Sequence, residues 1–307
     1  MVKEYDEMEL LTNIPEDMVY ENQTIKNDFI FGKVMQDKSL CTELIELLTG
    51  KEIGEDITIN AQKSVKVTND SKGIRYDVYV EDGNNVVYDA EMQNKNEDLP
   101  KRARYYSGMV DLNLLESGGV YKELKNCYIM FICTFDPFGK ALCYYEFENY
   151  SVKDENFSLE DGRKILFFNT KGKRVNVSTE VKEFLDYIET KKSVNAFTDK
   201  VDIAVRKARQ NKEWRLEYMK TLLHDMDVRL EGEEIGREKG RIEGRIEGRI
   251  ELLVSQIVRK IQKQKTVDII AEELEEDFDY IKKIYDIAMK DAVGCNVEKI
   301  LKELDNQ

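Results

Sequence analysis

Acidic side chains on two neighbouring segments give this sequence its clearest capacity for chemistry. The first segment carries Asp77, and the second, which follows the turn sequence EDGNN, carries Asp89, Glu91 and Gln93. Both segments alternate apolar and polar residues, which predicts two β-strands joined as a hairpin. Carboxylate and amide oxygens grouped on such a hairpin are ligands that suit a hard cation such as Mg²⁺ or Mn²⁺.

The apolar residues of the two segments predict which face carries the acids. They occupy the even positions, namely Ile74, Tyr76, Val78, Val80, Val86, Tyr88, Ala90 and Met92. If the even positions face one core, all three acids and Gln93 project from the other face. Like charges on facing positions destabilise a sheet, and a bound cation would remove that cost. A solvent-exposed polar face with Arg75 and Lys95 as counterions is the alternative that spacing leaves open.

The single histidine excludes several kinds of active site. His224 lies in the helical sequence KTLLHDMD, where we expect it on a helix surface or in packing. The five cysteines form no CxxC pair, so zinc sites built from Cys and His are not expected. No nucleophile-elbow motif accompanies the histidine, which argues against a Ser-His-Asp triad. Any catalysis must therefore depend on carboxylates, amides, Lys, Tyr or a hard metal ion.

Composition indicates a folded, charge-rich protein of the cytoplasm. Apolar residues make up 41% and charged residues 35% of the chain. No apolar run reaches the roughly 20 residues of a membrane span, and the first residues lack the pattern of a signal peptide. The net charge of −14 is unfavourable for phosphate binding, but Lys101 to Arg104 and Arg163 to Arg174 are locally basic. Charge alone therefore decides neither for nor against DNA.

The order of predicted elements indicates an α/β fold, with a mixed sheet and flanking helices. Helical spacing runs from Thr24 to Leu48 and ends at Gly50, and a second helix follows Asp98 and Pro100. Three strongly apolar segments then predict buried strands at 127–135, 141–147 and 164–170. From about Asn195 the chain is nearly all helical. This order predicts one α/β domain followed by a helical region.

The hairpin and its surroundings resemble a known nuclease superfamily. Asp77, followed after a hairpin by Glu91-Met92-Gln93, resembles the core of the PD-(D/E)XK nucleases in its Glu-x-Gln version. The neighbouring motifs NDFIF (27–31), RARYY (102–106) and GVYKEL (119–124) resemble the Rpn-type recombination-promoting nuclease, or putative transposase, branch. The resemblance covers roughly residues 20 to 190. It implies a restriction-endonuclease-like fold.

The resemblance also implies the site residues and the reaction. Asp77 and Glu91 would be the metal ligands, joined by a backbone carbonyl near Met92. Gln93, the third catalytic candidate, stands where the superfamily at large has Lys, and it brings no positive charge. The implied activity is that of a Mg²⁺- or Mn²⁺-dependent endodeoxyribonuclease linked to recombination, mobile elements or genome defence. A weakened or inactive nuclease-like protein that binds DNA or protein is the alternative.

Six further residues are accessory candidates. Lys95, on the same face as Gln93, could supply the missing charge, and Asp28 could add a third carboxylate from the first helix. Asp28 could equally be a helix N-terminal residue that interacts with the helix dipole. The remaining four lie on the helix after the hairpin and could contact phosphates or bases; they are Arg102, Arg104, Tyr105 and Tyr106. Neighbouring residues of a helix face different ways, so we expect only one of the two tyrosines to act.

Three regions follow from the whole sequence. They are a nuclease-like domain over 1–195, a long helical segment over 196–251, and a small all-α C-terminal unit over 252–307. In the middle segment glycine recurs every fourth residue from Gly232 to Gly248, and GRIE occurs three times. Each glycine costs about 1 kcal/mol in a helix relative to alanine, and Arg and Glu form like-charge ladders. We therefore expect a homodimer through the C-terminal helical region, with an extended linker as the alternative.

Overall fold

A six-stranded mixed sheet forms the centre of the first part of the chain. The computed structural model describes residues 14–66, 72–115, 118–290 and 297–305. The strand order is β1-β2-β3-β4-β6-β5, with β3, β4 and β6 mutually parallel and the other neighbours antiparallel. The strands are β1 Thr58–Val65, β2 Ile74–Glu81, β3 Val86–Gln93, β4 Asn126–Cys133, β5 Tyr144–Phe147 and β6 Arg163–Asn169. The α/β fold predicted from the element order is confirmed.

Helices cover both faces of this sheet. They are α1 Asp28–Val34, α2 Lys38–Thr49, α3 Leu99–Leu114, α4 Thr179–Thr190, α5 Ala196–Gln210 and the first turns of α6 Lys212–Gln262. Helices α1, α2, α4 and α5 build a hydrophobic core on one face, where Phe31, Leu44 and Phe184 are fully buried. Among the helices of the described ranges, α3 contributes to the core on the other face, through Ala103 and Met109 among others. The central strands β2, β3 and β4 are therefore buried on both sides.

The helical spacing predicted from Thr24 to Leu48 is divided into two helices. Asn27 caps α1 by accepting a hydrogen bond from the backbone N–H of Ile30. Asp37 starts a new helix in the same way, by accepting from the N–H of Leu40. Two N-cap residues ten positions apart divide one apolar pattern into two helices. Gly50, with a φ of 65°, ends α2 as expected.

Side-chain alternation in β2 breaks at Asp77, which corrects the predicted pattern of faces. Val78 lies in the first core together with Tyr88 and Ala90 of β3, as predicted. Ile74 and Tyr76 instead lie in the second core, together with Tyr79. The even positions of β2 thus divide between the two cores. The reason is that both faces of the sheet are covered by helices, so both accept apolar side chains.

The chain divides into two compact units between residues 223 and 224. The second unit contains the remainder of α6, then α7 Val267–Leu274, α8 Phe278–Lys290 and α9 Val297–Asp305. Its core is made by Val254, Ile257, Ile270, Ile281 and Ile284. The domain boundaries proposed at residues 195 and 251 stay predictions. None of the helices in the described ranges is both long and apolar enough to cross a membrane.

The GRIE repeats are helical, because the whole segment from Gly232 to Gly248 lies within α6. A Cβ atom added at any of its five glycines would meet no atom of the described residues within 4 Å, so this glycine row makes no close contact with that part of the chain. The like-charge ladders are partly compensated, because Arg241 pairs with Glu238 at 2.8 Å and Arg249 pairs with Glu276 at 2.8 Å. An extended linker is therefore not observed.

Two glycines in helices should respond to alanine in opposite ways. A Cβ on Gly32 of α1 would lie 2.8 Å from Gln62 Nε2 and 3.2 Å from the carbonyl oxygen of Asp77. We expect Gly32→Ala to lower the free energy of unfolding by about 1–3 kcal/mol through overpacking. Gly108→Ala in α3 meets nothing within 4 Å and should raise it by about 1 kcal/mol.

Urea unfolding of both variants measures these changes. Gly108→Ala is the matched control, because it makes the same chemical change in a helix with open space around the new methyl group. A Gly32→Ala variant as stable as Gly108→Ala would show that the contact between α1 and Asp77 is loose.

Candidate active site

Two carboxylates are held side by side by the backbone of the opposite strand. The backbone N–H of Asp77 donates to Glu91 Oε1 at 2.9 Å, and the backbone N–H of Met92 donates to Asp77 Oδ2 at 3.0 Å. Asp77 is 5% exposed and Glu91 is fully buried. Each side chain thus satisfies a main-chain donor of the other strand. Neither carboxylate can rotate without leaving a buried N–H group unpaired.

This crossed arrangement exists because the two strands separate at Asp77. The β2–β3 ladder begins at the pair Val78–Ala90, so the pairing expected between Asp77 and Glu91 is replaced by side-chain hydrogen bonds. On the other side, the β1–β2 pairing omits Gln62, whose φ is 57°. The backbone irregularity at Asp77 therefore exposes main-chain donors that only side-chain acceptors satisfy.

Burial and mutual repulsion raise the pKa of the acids at this site. Burial raises the pKa of Asp77 well above its usual range, and the nearby Glu91 and Asp28 carboxyl groups add to this. The pKa of Glu91 is raised by burial and by Asp89, while Arg102 opposes the shift. The pKa of Asp89 is raised by burial and by Asp77. Without a bound cation, these acids therefore favour the protonated form more than ordinary carboxyl groups do.

Asp89 is the least compensated of the three acids. It is fully buried, and neither carboxyl oxygen accepts a hydrogen bond from a donor in the described structure. The neighbouring Glu91 carboxyl can share a hydrogen bond with Asp89 only while one of the two acids keeps its proton. Asp77, Glu91 and Asp89 together form a buried acid cluster beneath α3.

Arg102 supplies the positive charge of the site. Its guanidinium donates from Nη2 to Glu91 Oε2 at 3.0 Å and from Nη1 to Gln93 Oε1 at 3.0 Å. It also donates from Nη2 to the hydroxyl oxygen of Tyr106 at 2.7 Å and lies over that ring. The i,i+4 spacing of Arg102 and Tyr106 on α3 brings the two side chains together. The polar face of the hairpin is therefore covered by α3 rather than by solvent.

The structure brings several of the sequence-predicted residues together and separates others. Hydrogen bonds join one cluster, made of the buried Asp77, Glu91, Gln93 and Tyr106 and the partly exposed Arg102. Lys95, proposed as the source of the missing charge, is exposed just after the end of β3. The position beside Gln93 is filled by Arg102 instead. Sequence proximity favoured Lys95, whereas the turn into α3 brings Arg102 back over the strand.

Asp28 and the exposed residues of α3 lie at the edge of the cluster or outside it. Asp28 is close enough to affect the pKa of Asp77, but its own carboxylate is half-exposed and lies 3.4 Å from Arg75. Tyr105 is 39% exposed, and its hydroxyl donates to the carbonyl of Lys72. Arg104 is exposed and lines a small surface cavity. Only Tyr106 of the two tyrosines enters the cluster, as their opposite directions on the helix predicted.

The contact of Arg102 with Gln93 was missed by the sequence reasoning, which assigned Arg102 to phosphate contacts. The available signal was the spacing of Arg102 and Tyr106, which identifies one face of α3. Which surface that face packs on depends on how α3 returns over β3, so the spacing alone did not connect Arg102 with Gln93. The alternation predicted the correct face for Asp89, but the sequence assigned it no function. Alternation also does not predict that Asp89 is completely buried.

The residues present fit a divalent cation held by two carboxylates. Asp77 and Glu91 offer the oxygen ligands that hard cations prefer, and both are already oriented by backbone amides. The uncompensated acid Asp89 would be stabilised by a nearby positive charge. Among the described residues, no group of three or more His, Cys, Asp or Glu is arranged as a complete metal cage. The other ligand positions would therefore fall to backbone oxygen, water or substrate.

Fold and site together define a member of the PD-(D/E)XK nucleases. The sequence model of the PD-(D/E)XK nuclease family transposase matches residues 25–222, which is most of the chain. The chain belongs to this family, and the resemblance inferred from the motifs is confirmed. Nucleases of this superfamily generally use divalent metals. Comparison with curated proteins and with solved structures found no match.

The raised pKa of the acids predicts that the metal-free protein loses stability as pH rises. A carboxyl group whose pKa is raised on folding stabilises the fold below its unfolded pKa of about 4, and that stability is lost as pH rises through the folded pKa. Asp89→Asn removes one such group while keeping its shape. We expect the free energy of unfolding of this variant to exceed that of the wild type by about 1–3 kcal/mol at pH 8. At pH 5 the difference should be smaller.

Urea unfolding in EDTA at both pH values tests this expectation. The control is Asp225→Asn, an exposed acid on α6, which should leave the pH profile unchanged. A constant difference between Asp89→Asn and wild type across this range would mean that Asp89 does not keep a raised pKa in the fold.

Proposed function

We propose that this chain is a Mg²⁺-dependent endodeoxyribonuclease that hydrolyses phosphodiester bonds in DNA. The observation that carries the proposal is the crossed pair of hydrogen bonds that fixes Asp77 and Glu91 next to each other. A structural role alone would favour neutral amides at these positions, which would avoid the repulsion between buried acids. Two carboxylates that are held in place by backbone N–H groups and only partly compensated by Arg102 fit a cation-dependent reaction.

The side chains of the site have separate functions in this proposal. A Mg²⁺ or Mn²⁺ ion, when bound, polarises the scissile phosphate and lowers the pKa of the attacking water. Asp77 and Glu91 hold the ion, and their backbone contacts keep both carboxylates in place. Gln93, which is 6% exposed at the end of β3, donates from its amide nitrogen to a phosphate oxygen or to the water.

The biological setting and location are also proposals. The transposase description of the family supports a link with recombination, mobile elements or genome defence, with DNA as the partner. Cys41, Cys127, Cys133 and Cys143 are all free thiols and buried; Cys295 lies outside the described residues. Unpaired cysteines agree with the reducing cytoplasm expected from the sequence.

A catalytically weakened or inactive relative that binds DNA or protein is the second candidate. Two observations favour it. Gln93 has no charge, and Arg102 already binds Glu91 Oε2 at 3.0 Å, so this cation competes with a metal for a proposed ligand. In this reading the acid cluster and Arg102 form a stable buried ion pair, and the protein acts through binding and self-association.

We also propose a homodimer held through α6 and the second unit. The five glycines of α6 recur every fourth residue, so successive ones lie about 40° apart around the helix, and a Cβ at any of them would meet no described atom within 4 Å. The residues opposite this row include Ile242 and Ile246, which are each about half exposed. A second helix could approach closely along the glycines and pair Arg with Glu. Two copies would bring two one-metal sites to one duplex, which would allow both strands to be cut.

The cleavage proposal predicts that metal binding and DNA cleavage depend on the carboxylates of Asp77 and Glu91. Supercoiled plasmid should be nicked or linearised with Mg²⁺ or Mn²⁺, and Ca²⁺ should bind but support little cleavage. Asp77→Asn and Glu91→Gln should each slow cleavage by about 10³-fold or more, equivalent to about 4 kcal/mol in the barrier. Mg²⁺ should raise the unfolding temperature of the wild type but not of these variants.

Plasmid cleavage and thermal unfolding are measured on the same preparations. Asp225→Asn is the control, since it removes a carboxylate far from the hairpin in sequence and exposed on α6. A folded wild type that binds DNA without cutting it in either metal would contradict the nuclease proposal and support the second candidate.

The dimer proposal predicts that larger side chains in place of the α6 glycines prevent association. Gly240→Leu together with Gly244→Leu should convert the full-length dimer to a monomer at micromolar concentration, because the two helices could no longer approach. Helix content should not fall, since leucine favours helix by nearly 1 kcal/mol per position relative to glycine. Light scattering gives the mass and circular dichroism the helix content.

Ile242→Leu together with Ile246→Leu on the opposite side is the matched control and should remain dimeric. A wild type that is already monomeric at micromolar concentration, or a leucine variant that still dimerises, would exclude association through this row.

A further inference from the structure

The side chain of Gln93 is hydrogen-bonded to that of Arg102, and this contact fixes the orientation of the amide group. Arg102 Nη1 donates to Gln93 Oε1 at 3.0 Å. A guanidinium has only donors, so the oxygen and not the nitrogen of the amide must face it. The two N–H donors of Gln93 Nε2 are therefore directed away from Arg102. An amide that could otherwise present either end has a single orientation here.

The same arginine is itself fixed by three other contacts. Its Nη2 donates to Glu91 Oε2 at 3.0 Å and to the hydroxyl of Tyr106 at 2.7 Å, and its guanidinium lies 4.9 Å from the centre of the Tyr106 ring. The side chain is 27% exposed. Tyr106 is in turn held by its backbone carbonyl, which accepts from Tyr76 at 3.1 Å. The planar fork of arginine thus joins α3 to two residues of β3.

A cation bound to the amide oxygen also changes what the amide nitrogen can do. Positive charge at Oε1 draws electron density along the conjugated amide, so the Nε2–H groups become stronger donors. The donor of Gln93 is neutral in isolation, but this contact gives it part of the effect of a positive charge. Arg102 therefore can act on a substrate oxygen without touching it.

We propose that Arg102 is a positioning residue that orients and polarises Gln93, so that the pair acts as one cationic donor to the phosphate of the DNA substrate. This inference rests on the proposed nuclease function. It differs from a simple counterion function for Arg102, in which the guanidinium would only offset the charge of Glu91 and Gln93 would act independently. The two differ in whether Arg102→Lys, which keeps the positive charge, still slows cleavage when the Gln93 amide is absent.

Moving the positive charge from one residue to the other tests the proposal. Gln93→Lys places a second cation against Arg102, and Arg102→Gln leaves Gln93 unoriented and Glu91 without its partner. Each single variant should slow plasmid cleavage by about 10²-fold, the typical cost of losing one oriented donor. The double variant Gln93→Lys/Arg102→Gln restores one positive charge next to Glu91. It should cleave within about tenfold of the wild type, a difference of about 1.4 kcal/mol.

Urea unfolding of the same four proteins in EDTA gives a second readout that does not depend on activity. Both single variants should be less stable than the wild type, and the double variant should recover most of the loss. Arg206→Gln on α5, an exposed arginine paired with Asp202, is the matched control and should change cleavage little. If the losses in the double variant simply add, in cleavage or in stability, the two residues act independently and the proposal is wrong.

A second pair of variants covers the case in which Arg102→Gln does not fold. Arg102→Lys keeps the charge but loses the fork that reaches two partners, and it should slow cleavage by about tenfold in the wild-type background. In a Gln93→Met background, where the amide is absent, the same change should have no further effect. An equal slowing in both backgrounds would overturn the proposal.

These measurements separate failure of this inference from failure of the nuclease proposal. A wild type that does not cut DNA contradicts the proposed function, while the unfolding measurements still decide whether Gln93 and Arg102 are coupled. A wild type that cuts DNA with additive variants keeps the nuclease proposal and removes the inference.

Discussion

The site depends on one constraint: two buried backbone N–H groups must find acceptors where β2 and β3 stop pairing. Asp77 and Glu91 provide them, each to the other strand. An unpaired buried donor costs about 1–3 kcal/mol. The carboxylates are therefore held in place by hydrogen bonds to backbone N–H groups, as the strands of the sheet are. The acids are thus structural acceptors and candidate ligands at once. This double function explains how two carboxyl groups remain side by side in the interior.

The positive part of the site comes from a different layer of the fold. Helix α3 carries Arg102 and Tyr106, and it packs on the sheet through Ala103 and Met109. The charge balance of the site therefore requires α3 to be seated at the correct rotation. A shift of one residue along the helix would turn Arg102 by about 100° away from Glu91. Packing of apolar residues on α3 and electrostatics at the hairpin are consequently parts of one arrangement.

The sequence predicted the elements better than it predicted their faces. The hairpin strands and the buried strand β4 were recognised because alternation and apolar runs are local signals. The division of Ile74 and Tyr76 from Val78 was not recognised, because apolar residues suit either face of a sheet that is covered on both sides. Likewise, Arg102 was not connected with Gln93. That contact depends on how α3 returns over β3, which no local pattern encodes.

The site is also compact along the chain. From Asp77 to Tyr106, a single hairpin and the helix after it contribute both proposed ligands, Gln93 and Arg102. Contacts between residues only 9 to 15 positions apart close short loops, and short loops lose little chain entropy on closing. The interactions that define the site thus have low contact order, which favours rapid formation. Helices that build the opposite core come from distant parts of the sequence and can stabilise this hairpin–helix unit after it has formed.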